Sequence, residues 1–163
     1  MSNPLYSEKV RSVFTTVFFV ILALIFLALF TWRYSVVGLR FSPGLFAFLG
    51  LFFCFYVINY RVLKITITDQ ALKLGFGLVG WRTELENIAH VSQYDPPFWI
   101  KYGGAGVHFA MVDGEYMAFY NFLDNPRILV RFHQKQGPVK ALVFTSSQPD
   151  QILEILEKRI SSE

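Results

Sequence analysis

Two long apolar stretches without charged residues lie near the start of the chain. The first, SVFTTVFFVILALIFLALFTW, ends at Trp32, and the second, FSPGLFAFLGLFFCFYVINY, ends at Tyr60. At 1.5 Å per residue each stretch reaches about 30 Å as a helix, which matches the hydrocarbon core of a bilayer. The pattern predicts two transmembrane helices, at residues 13–32 and 41–60, joined by a short connector at residues 33–40.

Two other interpretations of these stretches are less favoured. A buried helical hairpin of a soluble protein would need a far larger protein around it. A cleaved signal peptide fits poorly because the first stretch is too long and no small-residue cleavage site follows it. A second apolar stretch also begins eight residues later.

Apolar and polar residues alternate through much of the remaining chain, residues 61–163. In VLKITIT, for example, Leu63, Ile65 and Ile67 alternate with polar residues, which is typical of a half-buried antiparallel strand. Turn signals rich in Gly, Pro, Asp and Asn separate the segments that share this pattern. These further segments are LKL, VGWRTEL, IAHVSQY, GVHFAMV, YMAFYNF, RILVRFH and VKALVFT.

The last segment, SSQPDQILEILEKRI, instead carries apolar residues at helical spacing. Ser147 and Asp150 resemble a capping box, with Pro149 in the first turn. The pattern predicts one domain of about seven short antiparallel strands closed by an amphipathic C-terminal helix.

These segments resemble a known family. KITITDQALKLGFGLVGWRTELENIAHVSQYD is similar to the opening of membrane-anchored bacterial pleckstrin-homology (PH) domain proteins, with an I-x-x-V segment from Ile88 to Val91. YGGAGVHF and the segments after it are similar to the second half of one such subfamily, which also carries two upstream spans. The resemblance implies an α+β membrane protein: an N-terminal two-helix transmembrane hairpin, then a PH-like antiparallel β-barrel or sandwich capped by a C-terminal helix. It implies fold and topology more than activity, because most members have no assigned function.

Composition and charge agree with a membrane location. Of 163 residues, 53% are hydrophobic and 17% charged, whereas soluble domains carry about a quarter charged residues. The net charge of +3 arises entirely within residues 1–60, so it reflects residues that flank the spans and predicts no nucleic-acid surface.

The distribution of basic residues favours one orientation. Five lie near the span ends on the side of the termini, and two, Arg33 and Arg40, lie in the connector. By the positive-inside rule, the N-terminal segment, residues 1–12, and the domain, residues 61–163, are expected in the cytoplasm. The five basic residues are Lys9, Arg11, Arg61, Lys64 and Lys73.

The segment LGFGLVGW contains Gly75, Gly77 and Gly80 in the G-x-G-x-x-G spacing of a dinucleotide-binding turn, with Asp95 downstream. Such a site needs a buried parallel strand before the turn and a helix after it. The flanking residues alternate as in an antiparallel sheet. We therefore expect a β-hairpin and predict no cofactor.

The segment WIKYGGAGVHF is the strongest candidate for a contact with a ligand or partner. Its glycines permit positive φ angles, and its basic and aromatic residues would suit an anionic headgroup or a peptide. The alternative is a loop that enters a strand through a tight turn. The candidate residues are Trp99, Lys101, Tyr102, Gly103, Gly104, Gly106 and His108.

No pattern indicates catalysis or a metal. The three histidines share no ligand-like spacing, the single cysteine, Cys54, lies in an apolar stretch, and no G-x-S-x-G elbow is present. Phosphoinositide-binding PH domains have a basic first hairpin, whereas Asp69 lies at the tip of this one. Arg61, Lys64 and Lys73 would still attract anionic lipid, by about 1 kcal/mol each.

We therefore predict a non-catalytic protein integral to the cell membrane, whose cytoplasmic domain binds a protein partner or helps to assemble a larger membrane complex. Gly44, Ala47 and Gly50 would let the second span pack closely on a neighbour, on the first span or in a homo-oligomer. Two alternatives are binding of the domain to the anionic membrane surface and a small enzyme of lipid or envelope metabolism.

Overall fold

The computed structural model describes residues 4–102 and 104–160, except for the side chain of Tyr102. The helices are α1 (Val13–Val37), α2 (Phe41–Asn59), α3 (Phe98–Tyr102) and α4 (Pro149–Ile160). The first strands are β1 (Tyr6–Val10), β2 (Leu63–Ile67), β3 (Ala71–Phe76), β4 (Val79–Glu84) and β5 (Ile88–Tyr94). The later strands are β6 (Gly106–Val112), β7 (Glu115–Asn121), β8 (Arg127–Gln136) and β9 (Val139–Thr145), and a 3-10 turn, Leu85–Asn87, precedes β5.

Helices α1 and α2 are each long and apolar enough to cross a membrane, by length and composition. The first helix runs beyond the predicted end of the span at residue 32 and stops at Val37, so it takes in five of the eight residues of the predicted connector, residues 33–40. No glycine or proline interrupts residues 33–37, and the helix ends where Gly38 adopts a φ of +68°. Only Gly38–Arg40 connect the two helices, which makes them antiparallel neighbours.

The two helices pack closely through a glycine and a ladder of aromatic rings. A Cβ on Gly50 would lie 2.9 Å from Cγ of Leu27, so α2 approaches α1 more closely there than a larger residue would allow. Phe53 stacks on Phe26 at 5.6 Å between ring centroids. Gly50 thus packs on the first helix, whereas Gly44 faces open space.

The residues before α1 belong to the β-domain. Strand β1 pairs antiparallel with β2, from Tyr6 opposite Ile67 to Val10 opposite Leu63. It completes a four-stranded sheet with the order β1-β2-β3-β4. The domain therefore includes a strand from residues 1–12, a segment that was predicted to lie outside it. Two buried apolar positions in five residues are too few for a recognisable alternation.

The second sheet has five strands in the order β5-β8-β9-β7-β6. All its pairs are antiparallel except β7 and β9, which run parallel from Met117 opposite Ala141 to Tyr120 opposite Phe144. The prediction of about seven antiparallel strands in residues 61–163 is close in number, since eight strands, β2 to β9, lie there, but it is wrong in direction for the parallel pair. Alternation reports that a strand is half-buried, but not which strand lies beside it or in which direction.

The glycine-rich segment forms the β3–β4 hairpin, as predicted. Gly75 lies opposite Gly80, and Gly77 takes a φ of +49° at the turn. Strand β4 follows directly, where a dinucleotide-binding turn would continue as a helix. The glycine spacing is thus explained by the hairpin.

The main core lies between the two sheets and beneath α4. Tyr120, Phe76 and Phe144 are among its largest fully buried side chains, and Ile152 and Leu156 of α4 are also fully buried. This confirms the predicted amphipathic helix. The hydroxyl near its start is Ser146, whose Oγ accepts a hydrogen bond from the Gln148 amide at 2.9 Å, instead of the predicted Ser147.

Candidate interaction site at the base of the helices

Helix α3 and the residues after it lie beside the domain end of α1 and α2. After Pro96 and Pro97, the amides of Ile100 and Lys101 both donate to the Pro97 carbonyl at 2.9 Å and close one helical turn. The Lys101 ammonium lies 2.7 Å from the Asp95 carboxylate, and its hydrogen bond and charge lower the pKa of Asp95. Lys101 is therefore engaged within its own loop.

The segment after α3 is attached to α2. The hydroxyl of Tyr56 donates to the Ala105 carbonyl at 2.8 Å. Gly106 has a φ of +85°, and a Cβ there would lie 3.0 Å from the Tyr56 hydroxyl oxygen and 3.1 Å from the Tyr60 ring. Glycine is needed at residue 106 for both its backbone conformation and this close approach. Gly104 packs closely on the His108 ring, since a Cβ on Gly104 would lie 3.3 Å from that ring.

His108 is a packed aromatic side chain and not an exposed cation. Its ring stacks on Phe119 with 4.9 Å between centroids and 4° between planes. Burial lowers the pKa of His108, and the positive charge of Arg127 lowers it further. His108 is thus neutral at neutral pH, and its Nδ1 has no hydrogen-bond partner among the described residues.

Trp99, Gly104 and His108 meet at one groove of about 510 Å³. One wall comes from the long helices, and the other comes from α3 and β6. Lys101 instead borders a separate, more polar cavity with Asp95 and Arg127. Gly103 and the side chain of Tyr102 lie outside the described residues. The groove is lined by Phe19, Phe52, Tyr56, Trp99, Ile100, Gly104, Ala105, His108, Phe109 and Ala110.

The helix residues of this groove were not predicted from the sequence. Phe19 and Phe52 lie inside uniformly apolar stretches, where one phenylalanine is not distinguishable from another. The one available signal was Tyr56, because a hydroxyl near the end of an apolar helix needs a polar partner.

Strand β6 borders the groove and forms one edge of the five-stranded sheet. It pairs with β7 on one side, and no strand among the described residues pairs with its other side. Phe109 and Met111 on this strand are 49% and 69% exposed.

The predicted surface charges are distributed over two regions. Arg61 is exposed directly after α2, at the base of the helices. Lys64 and Lys73 are exposed residues of the four-stranded sheet, and Lys9 of β1 lies directly opposite Lys64. Lys9 therefore joins this basic region in the folded chain.

Arg127 is buried, and its Nη2 donates to the carbonyls of Lys101, Phe122 and Leu123 at 3.1–3.3 Å. These hydrogen bonds connect α3 to the loop between β7 and β8. Within residues 4–102 and 104–160, no group of three or more His, Cys, Asp or Glu side chains is arranged to hold a metal ion.

Comparison of the chain with models of protein families, with curated proteins and with solved structures finds no match in any of the three. A function is therefore inferred from the groove and from β6.

Proposed function

We propose that the chain is a non-catalytic membrane protein with two spans, whose cytoplasmic PH-like domain binds an extended segment of a partner protein along β6. The spans are supported by exposure as well as length. In each long helix, only 11% of the most apolar 18-residue segment is buried. A core helix of a soluble protein would hide this surface, so the surrounding medium is proposed to be lipid.

The PH-like assignment of the domain is supported by two packed sheets and a C-terminal helix that closes the core. Two features extend that plan: the strand before the first helix and the parallel pair between β7 and β9. The cytoplasmic location is supported by the excess of basic residues on the side of the termini.

The proposed binding of a partner rests on one observation: the four edge strands of the two sheets differ in how they are protected. Proteins protect exposed edges with charged residues, with proline or with a covering element. Strand β1 carries Glu8 and Lys9, β4 carries Arg82 and Glu84, and α4 packs against β5. Strand β6, GVHFAMV, contains neither a charged residue nor a proline. An edge of this kind accepts an added strand, with specificity from exposed side chains such as Met111.

The test is co-purification of the intact protein from membranes in mild detergent. Met111→Lys places a charge on the β6 edge without altering a buried residue, and Gln134→Lys makes the matched change at an exposed position of β8. We expect Met111→Lys to reduce the recovered partner by about tenfold, with Gln134→Lys equal to the parent protein. Equal recovery with both variants, at unchanged melting temperatures, would contradict binding at β6.

A further inference from the structure

We propose that α3 and the tip of the β3–β4 hairpin insert into the headgroup region of a bilayer that contains anionic phospholipid. The domain would then lie on the membrane surface instead of being held away from it. This inference rests on the proposed membrane spans, but not on the proposed partner at β6.

The position of α3 along the axes of α1 and α2 supports this insertion. Phe19 lies six residues into α1, about 9 Å along its axis, and Phe52 lies seven residues before the end of α2, about 10 Å from it. Trp99 lines the same groove as these two residues. The Tyr56–Ala105 hydrogen bond fixes the segment after α3 to α2 at a point about 5 Å before the end of that helix. Helix α3 therefore lies beside the proposed membrane-spanning part of α1 and α2, and not at the level where these helices join the β-domain.

Large apolar side chains are exposed at this end of the domain. Phe98 and Trp99 on α3 are 75% and 72% exposed, and Leu78 at the hairpin tip is 87% exposed. The Leu78 amide donates to Oδ1 of Asn59, the last residue of α2, at 2.9 Å, which places the tip at the helix base. Tryptophan and other amphipathic or apolar side chains are stable at the boundary between lipid and water.

Basic residues lie at the helix bases and at the adjoining ends of β1 and β2. Lys9, Arg11, Arg61 and Lys64 are exposed, and none of them forms an ion pair within the part of the chain that the structure describes. Lys9 and Lys64 face each other across β1 and β2, an arrangement that is unfavourable without a counter-charge. Anionic headgroups at this level supply that counter-charge.

The three tryptophans provide a test in the intact protein. Trp32 lies about 29 Å along α1 from Val13, Trp81 stacks on Phe132 in the domain, and Trp99 is on α3. Three variants each keep one tryptophan and replace the other two by phenylalanine. Each is reconstituted in nanodiscs of phosphatidylcholine and phosphatidylglycerol with a nitroxide on the lipid headgroup.

We expect the nitroxide to reduce the fluorescence of Trp99 and of Trp32 by about twofold, and that of Trp81, about 10 Å along β4 from the hairpin tip, by less. Quenching of Trp32 without quenching of Trp99 would overturn the insertion of α3 and leave the spans intact. Loss of quenching at both residues would overturn the spans as well.

A second pair of variants tests the hairpin tip and provides a matched control. In a chain with all three tryptophans replaced, Leu78→Trp places the probe at the tip, and Met111→Trp places it at another apolar, exposed position. Met111 lies five residues along β6 from the attached Gly106, about 17 Å away. Quenching of Leu78→Trp but not Met111→Trp is expected. Equal quenching of the two, or none, would contradict a membrane contact confined to the helix base.

Discussion

At the scale of single residues, Gly77 connects the hairpin to the second long helix. It has a φ of +49°, and a Cβ at this position would overlap the Asn59 side chain and backbone. The Asn59 side chain in turn accepts a hydrogen bond from the Leu78 amide. The turn was predictable from the glycines, but the Asn59 contact was not, because local patterns do not report which distant residue a turn will meet.

We expect Gly77→Ala to destabilise the domain more than Gly114→Ala does. Gly114 also has a positive φ, of +77°, but a Cβ there meets nothing within 4 Å. Gly114→Ala should therefore cost only the backbone strain of about 1–2 kcal/mol, whereas Gly77→Ala also disrupts the contact with Asn59. Denaturant unfolding of both variants measures the difference, and equal losses would show that the contact contributes nothing.

His108 should make the stability of the domain depend on pH. Burial and the charge of Arg127 lower the pKa of His108 in the folded state below the usual value of 6.5. Below pH 6.5 the unfolded chain therefore binds a proton at His108 more readily than the folded chain, so stability falls as the pH falls. Above that pH this contribution is constant.

His108→Phe tests this dependence because phenylalanine preserves the stack on Phe119 and removes the titrating group. We expect the melting temperature of the parent protein to fall between pH 7.5 and 5, and the fall to be smaller in His108→Phe. His133→Phe, at an exposed position of β8, is the control. The same pH dependence in all three proteins would assign the effect to other groups.

The candidate site illustrates what a sequence pattern can supply. The segment around Trp99 was predicted as a contact region from its aromatic, basic and glycine residues. The structure joins Trp99, Gly104 and His108 in one groove, but Lys101 pairs with Asp95 instead. An ion pair six residues apart depends on how the two prolines turn the chain, which the residue types alone do not determine.

At the scale of elements, the strand before the helices is the least expected part of the fold. Glu8 of β1 accepts hydrogen bonds from the Ser146 hydroxyl at 2.7 Å and from the Ser147 amide at 2.8 Å. Strand β1 is thereby attached both to β2 and to the start of α4. Strands β5, β6 and β9 match their predicted segments in full, since each is bounded by turn residues. The pairing between strands, in contrast, could not be predicted from the sequence and is known only from the structure.

Because Val10 and Leu63 are cross-strand partners, a two-residue turn should be able to replace everything between them. We expect a variant with residues 11–62 replaced by Asn-Gly to give a soluble, monomeric domain. Residues 61–160 alone lack β1 and expose the edge of β2, so they should aggregate. Size-exclusion chromatography and circular dichroism compare the two. A soluble, folded 61–160 fragment would show that β1 is dispensable.

At the scale of the whole molecule, the proposed topology places the connector and the domain on opposite sides of the membrane. With Cys54→Ser, the chain has no cysteine, and Leu39→Cys or Gln134→Cys adds one at an exposed position. In intact cells an impermeant maleimide should label Leu39→Cys, and it should label Gln134→Cys only after the membrane is permeabilised. The reverse pattern would invert the orientation, and labelling of both in intact cells would contradict the two spans.

The pairing of β1 with β2 also has a consequence for biogenesis. Strand β1 is synthesised first, but its partner follows only after residues 11–62, which takes about 3–10 s at ordinary rates of translation. Under the proposed topology, a chain in which only one helix has inserted holds the two strands in different compartments. The sheet then stays open and β2 remains an exposed edge for quality-control proteases. Under that topology, a chain with a single inserted helix cannot close the β-domain, because β1 and β2 must share a compartment to pair.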